Sequence, residues 1–127
     1  MSDQTILKFD YAAVEGETVT AVLGQADGNG NWWSVAILLG SRALVLRVDA
    51  DSDQISVALE AAPEGADWAT VEPMHFAIGS ELGWCWIGRN HRGYLDMFAV
   101  SFSGLEPQFL FIGMASAIQL RRVSPPN

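Results

Sequence analysis

"ELGWCWIGRNHRGYLDMF", Glu81 to Phe98, sets two tryptophans around the chain's only cysteine and then a histidine between basic residues. Two readings compete for it: a Cys/His catalytic centre, or a strand, a turn and a second strand. Asn90 suits the first position of a type I turn, and Gly93 suits the left-handed conformation that glycine adopts without strain. The stretch therefore predicts a three-residue hairpin with a bulge. Counting back with Asn90 opposite Tyr94 pairs Gly88 with Asp96, Trp86 with Phe98 and Trp84 with Val100. On that register Trp84, Trp86, Phe98 and Phe102 share one face, and Cys85, Ile87, Met97 and Ala99 share the other. A ribbon apolar on both sides is expected in the middle of a sheet, with a layer over each face.

The same geometry speaks against chemistry. Cys85 lies mid-strand and His91 at the tip, an extended path of about 20 Å at roughly 3.3 Å per residue. A proton-transfer pair needs about 3 Å. A single cysteine among Trp, Ile and Met reads as an inert core thiol, so no catalytic residue is assigned and the chain leans away from being an enzyme. At the tip, Arg89, His91, Arg92 and Asp96 gather beside Tyr94. The planar donor fork of arginine suits an anionic ligand or a carboxylate on a partner. With Trp84 and Trp86 these form the candidate binding set, weighed against the plainer reading of a solvated hairpin end.

Outward from this hairpin the chain keeps the same grammar. Thr18 to Leu23, Trp33 to Leu39, Leu44 to Val48 and Ile55 to Leu59 read as strands, with Trp33, Val35, Ile37 and Leu39 on one face. Leu82 to Gly88, Tyr94 to Phe102, Gln108 to Ile112 and Ser116 to Val123 follow, separated by Gly, Pro and Asn turns. Thr5 to Val14 fits a strand or a helical face equally, and a short helix is expected around Ala66 to Val71. The fold class is mainly β, with a β-rich α+β arrangement as the variant: about seven or eight antiparallel strands as a sandwich, rolled sheet or small barrel, with at most one or two short helices. One domain is expected over 1–127, with a loose C-terminal tail at 124–127.

Apolar residues make up 50% of the 127 and charged residues only 17%. That is more apolar surface than a chain of this size easily hides, and the surplus favours a homodimer. A formal charge of −8 opposes the phosphate contacts that drive nucleic-acid binding, and it equally disfavours an anionic membrane. A basic protein partner fits that field. The N-terminus lacks a secretory signal and a lone Cys85 forms no internal disulfide, so a cytoplasmic location is expected.

Asp49, Asp51, Asp53 and Glu60 match four positions of an EF-hand calcium loop. Gln54 replaces its turn glycine, however, and strand-like sequence replaces its flanking helices, which leaves an acidic turn. No phosphate loop, nucleophile elbow or zinc spacing occurs. Metal ligands and cofactors are therefore none.

The segments "GWCWIGRNHRGYLDMFAVSF" and "FLFIGMASAIQLRRV" resemble an uncharacterised family of short bacterial proteins, through Trp-x-Trp, Asn-x-x-Gly-Tyr-x-Asp and a closing Ala-Ser-x-Ile. The resemblance lies mainly over residues 82–123 and implies a small cytosolic protein with no activity to carry over. An immunity-like role beside a secreted toxin is an analogy of size and acidity alone. The expected function is a non-enzymatic protein-interaction module that self-associates. The alternative is a small-ligand-binding β domain with an aromatic-lined pocket.

Overall fold

The computed structural model describes residues 7–103 and 106–123, so the expected tail at 124–127 lies outside the described residues. Ten strands appear in chain order: β1 Leu7–Lys8, β2 Ala21–Ala26, β3 Trp32–Leu39, β4 Arg42–Val48, β5 Ile55–Ala61, β6 Ala69–Thr70, β7 Leu82–Arg89, β8 Leu95–Phe102, β9 Phe109–Met114 and β10 Ala117–Arg122. Seven of the eight longer ones fall where the alternating and β-branched runs place them, whereas β2 lies three residues later than the expected Thr18 to Leu23 and takes in Gly24, Gln25 and Ala26. β1 and β6 are two residues each. Pairing follows the order β1-β5-β4-β3-β10-β9-β8-β7, with β2 and β6 branching from β3. All pairs are antiparallel except β1 with β5, and the sheet curls into a half-barrel.

Curling follows from how β3 is shared. β4 pairs with β3 from Ser34 to Leu39, whereas β10 meets β3 only through Ile118 and Trp32. The sheet thus turns at the start of β3, and the inner faces of its two halves close on one core. Val35, Ile37, Leu44, Leu46, Ile55 and Val57 from one half meet Phe98, Val100, Phe102, Phe109 and Phe111 from the other. Phe98 and Phe111 lie with ring centroids 6.3 Å apart, close enough for aromatic packing to add to area burial.

Three local expectations need correction. Trp33 does not continue the inner row of Val35 and Ile37: the β2–β3 register shifts at Gln25/Ala26, which turns Trp32 inward and leaves Trp33 49% exposed. The Trp32 ring lies over Gly24, where any side chain would meet it. Ala66–Val71 is not helical. Val71 is buried with its N–H on the Val22 carbonyl, which holds the chain extended through β6. The helix comes later, as a 3-10 turn over Glu72–Ala77 that takes Pro73 in its first turn, where a missing N–H costs nothing. The ambiguous N-terminus divides: β1 is a strand, and Tyr11–Ala13 is a 3-10 turn whose Ala12 N–H donates to the Asp10 side chain. Thr5 and Ile6 lie outside the described residues.

The acidic turn after β4 has a structural task. Asp53 adopts a left-handed φ of 62°, and its carboxylate accepts from the Ser116 N–H at 2.8 Å. The Ser116 hydroxyl donates to the Ala50 carbonyl at 2.8 Å. Gly113 lets the Asp53 backbone pass close, since a side chain there would collide with the Asp53 carbonyl. Glu60, the fourth acid of the calcium-like pattern, is instead held by Arg47 at 2.6 and 3.0 Å.

Candidate functional site

The β7–β8 hairpin carries every candidate binding residue. Its tip forms as the turn chemistry requires. The Asn90 N–H donates to the Tyr94 carbonyl at 3.0 Å, Gly93 N–H donates to the Asn90 carbonyl, and Gly93 has a φ of 84°. The Asn90 side chain organises the loop: its Oδ1 accepts from the Arg92 and Tyr94 N–H groups, and its Nδ2 donates to the Asp96 carboxylate at 3.3 Å. Arg89 reaches back to the Gly93 carbonyl. Arg89, His91, Arg92 and Tyr94 are exposed and Asp96 half-buried, so the tip is assembled and open to solvent.

Below the tip the expected register fails by one residue. Gly88 pairs with Met97 and Arg89 with Leu95, so Asp96 is an extra residue in β8. A single-residue slip exchanges the faces of everything beyond it. Ile87 therefore opposes Phe98 and Cys85 opposes Val100, while Trp86 opposes Ala99. Cys85 and Ile87 face inward, and Trp84 and Trp86 face outward beside Met97. The tryptophans do not share a face with Phe98 and Phe102. A second bulge near the start of β7 is held by Ser101, whose Oγ accepts from the Trp84 N–H at 2.8 Å.

The hairpin is also not central. Among the described residues β7 pairs only with β8 and ends the sheet. Its first residues are bonded on the other side, Leu82 N–H to the Glu17 carbonyl and Gly16 N–H to the Leu82 carbonyl. The Tyr11 hydroxyl donates to the Gly83 carbonyl at 2.8 Å. Beyond that, from Cys85 to Gly88, no strand lies alongside among the described residues. Exposure follows: Trp84 is 51% and Ile87 43% accessible, on opposite faces of one strand. The two indoles sit 6.3 Å apart, tilted by 45°.

Two hollows flank this edge. On the inner side a cavity of about 230 Å³ is lined by Phe9, Tyr11, Cys85, Ile87 and Phe98. Burial pushes the Cys85 thiol up to about 12, so it is protonated at neutral pH and a poor nucleophile. Tyr11 is likewise raised, first by burial, then by the charge of Glu15. Lower down, a cleft of about 420 Å³ lies between Glu15, Glu81, Gly83 and Trp84. His75 is exposed on the 3-10 turn. Among the described residues no three His, Cys, Asp or Glu side chains group to hold a metal, and no helix is long and apolar enough to cross a membrane.

Sequence reasoning found the tip residues and missed Tyr11, Glu15 and Glu81, which reach the site from the N-terminal segment and the start of β7. Nothing local signals them.

These features define an all-β chain built on a curled, half-barrel sheet that ends in an apolar edge strand. The chain belongs to a family of unknown function (DUF6334), whose model matches residues 1–127 and so extends the likeness beyond the C-terminal motifs to all of the sequence. No curated protein and no solved structure matches it.

Proposed function

We propose that this chain is a non-enzymatic protein-interaction module that self-associates as a homodimer through the β7 flank. The observation that carries the reading is an edge strand with a large apolar side chain exposed on each face, Trp84 on one and Ile87 on the other. Soluble proteins usually guard such edges with charge or Pro, and an unguarded one is a template for another chain. The acidic remainder of the surface suits a basic protein partner as the next layer of recognition. Light scattering tests the reading: a dimer at micromolar concentration is expected for the native chain and a monomer for Trp84→Ser/Ile87→Lys, with the β signal unchanged in circular dichroism. A monomeric native chain overturns it.

The inner cavity favours a second reading, a small apolar ligand held by Phe9, Tyr11 and Phe98. Its size falls below the roughly 300 to 1,000 Å³ of ordinary ligand pockets, and Trp84 and Trp86 face the other way. Fluorescence titration with small aromatic probes decides it, since saturable binding lost in Cys85→Phe would support this reading and no binding would remove it.

A further inference from the structure

We infer that the cleft between segment 11–16 and the start of β7 seats a basic side chain of a protein partner, with its cationic head at Glu15 and Glu81 and its apolar stem along the Trp84 indole. This rests on the basic partner named above, not on self-association, and assigns where that partner is recognised. The cleft, of about 420 Å³, falls within the roughly 300 to 1,000 Å³ of ordinary ligand sites. Tyr11, Gly83 and Ser103 complete its lining.

The backbone of the cleft is already bonded within the chain. The Gly16 N–H donates to the Leu82 carbonyl at 3.0 Å, the Leu82 N–H to the Glu17 carbonyl at 2.8 Å, and the Tyr11 hydroxyl to the Gly83 carbonyl at 2.8 Å. Ser103 holds Glu81 from the other side: its N–H donates to the Glu81 carbonyl, and its hydroxyl oxygen accepts from the Glu81 N–H at 3.1 Å. A partner therefore cannot add a strand at Leu82 and Gly83 and has to reach in with a side chain. What these bonds leave for it is two exposed carboxylates, a phenol ring and an indole that is 51% exposed.

Charge decides which side chain fits. Among the described residues neither Glu15 nor Glu81 has an ion-pair partner, whereas Glu17 beside them in sequence is answered by Arg42 at 3.8 Å. The charge of Glu15 is felt inside the cleft, where it is the second cause, after burial, that raises the Tyr11 hydroxyl. Two uncompensated carboxylates attract a cation and repel an anion, and the face of an indole adds cation–π attraction. No three His, Cys, Asp or Glu side chains gather among the described residues, so the lining suits an organic cation better than a metal ion. Lys and Arg carry such a cation on a methylene stem that lies readily along apolar surface. The net charge of −8 steers them toward the chain.

Titration of the full chain with the capped tripeptide Ala-Lys-Ala tests the site, read by NMR at the Trp84 indole N–H, which Trp84→Phe identifies. A saturable shift is expected, and none with norleucine in place of the lysine. Glu15→Gln/Glu81→Gln is expected to weaken binding about fivefold. Glu64→Gln/Asp67→Asn removes the same charge at exposed positions outside the cleft and is expected to leave affinity unchanged. Equal weakening by the two double variants overturns the site, since net charge alone would then account for the attraction. An indole signal that does not move overturns it too. If free n-butylammonium binds and the lysine of the tripeptide does not, the occupant is a free amine and the partner is overturned. Every group of the cleft comes from one copy, so a native chain that proves monomeric removes self-association alone, and a failed titration leaves the β7 edge reading standing.

Discussion

Strands β3 and β4 and strand β7 are built from similar material and reach different ends. "SVAILL" and "ALVL" are apolar at successive positions, as is "LGWCWIG". In the first case both faces are covered. Val35, Ile37, Leu44 and Leu46 enter the core, and Ala36, Ala43 and Val45 are sealed on the outside by Leu38 and by Trp68 from the segment after β5. In the second case one face meets a small cavity and the other meets solvent, with no strand along the far edge from Cys85 to Gly88 among the described residues. Two-sided apolarity therefore signals a need for two covers without naming their source. For β3 and β4 the chain supplies both; for β7 we propose that a second copy supplies what is missing.

The sharpest way to break this contrast is truncation in each region. Phe111 is fully buried, and Phe111→Ala is expected to cost about 3–5 kcal/mol in urea unfolding. Trp84→Ala removes an even larger side chain from the exposed face and is expected to cost under about 1 kcal/mol to the monomer, with its effect appearing in association instead. Similar losses for the two would mean that Trp84 is covered within the chain. Next in size is Gly113→Ala. The new Cβ meets the rigid Asp53 carbonyl, so about 1–3 kcal/mol is expected by thermal unfolding. Gly88→Ala meets only the mobile end of Met97 and should cost much less.

What the sequence could and could not convey follows from the range of the interactions involved. The Asn90–Gly93 turn is local chemistry, a side-chain acceptor and a left-handed glycine, and it was legible. The eight long strands were legible because each is a short alternating or continuously apolar run, rich in β-branched or aromatic residues and bounded by turn residues. The bulges at Asp96 and near Trp33 were not: each adds one residue whose presence depends on what the partner strand presents, and each reversed the faces assigned to tryptophans. The edge position of β7 was invisible for a related reason, since sheet order is settled by contacts far apart in sequence. Glu15 and Glu81 entered the site by the same long-range route.

Removing the outer cover of the closed region sharpens the comparison from the other side. Trp68→Ala is expected to cost about 1–2 kcal/mol and to expose Ala36 and Val45. If covering is what separates the two regions, this variant should also bind a hydrophobic dye more strongly, and unchanged dye binding would show that Trp68 is not the seal. Alkaline titration reports on the open region. The folded Cys85 thiol ionises near 12 against an ordinary 9.0, so the folded state holds its proton more tightly. That contribution to stability is complete below about 9 and is lost as pH rises from there through about 12; the raised Tyr11 adds to the same loss. Cys85→Ala should flatten the decline. A native thiol reacting as fast at pH 8 as in the urea-unfolded chain would show that the cavity is wet.

The smallest effects on folding are expected from charge. Arg47 and Glu60 form an exposed pair at 2.6 Å inside the closed region, and such pairs contribute about 0 to 1 kcal/mol. Arg47→Ala should lower stability by no more than that and leave association unchanged, because both partners belong to one copy. Arg92 is exposed at the open tip, and Arg92→Glu should shift monomer stability by less than about 0.5 kcal/mol. Its expected consequence lies elsewhere. A further carboxylate on a chain of formal charge −8 adds to the repulsion between copies, so the dimer should weaken at low salt and less so at high salt. Sedimentation at two ionic strengths measures both shifts. An unchanged dimer at both ionic strengths would show that the two regions differ in packing alone.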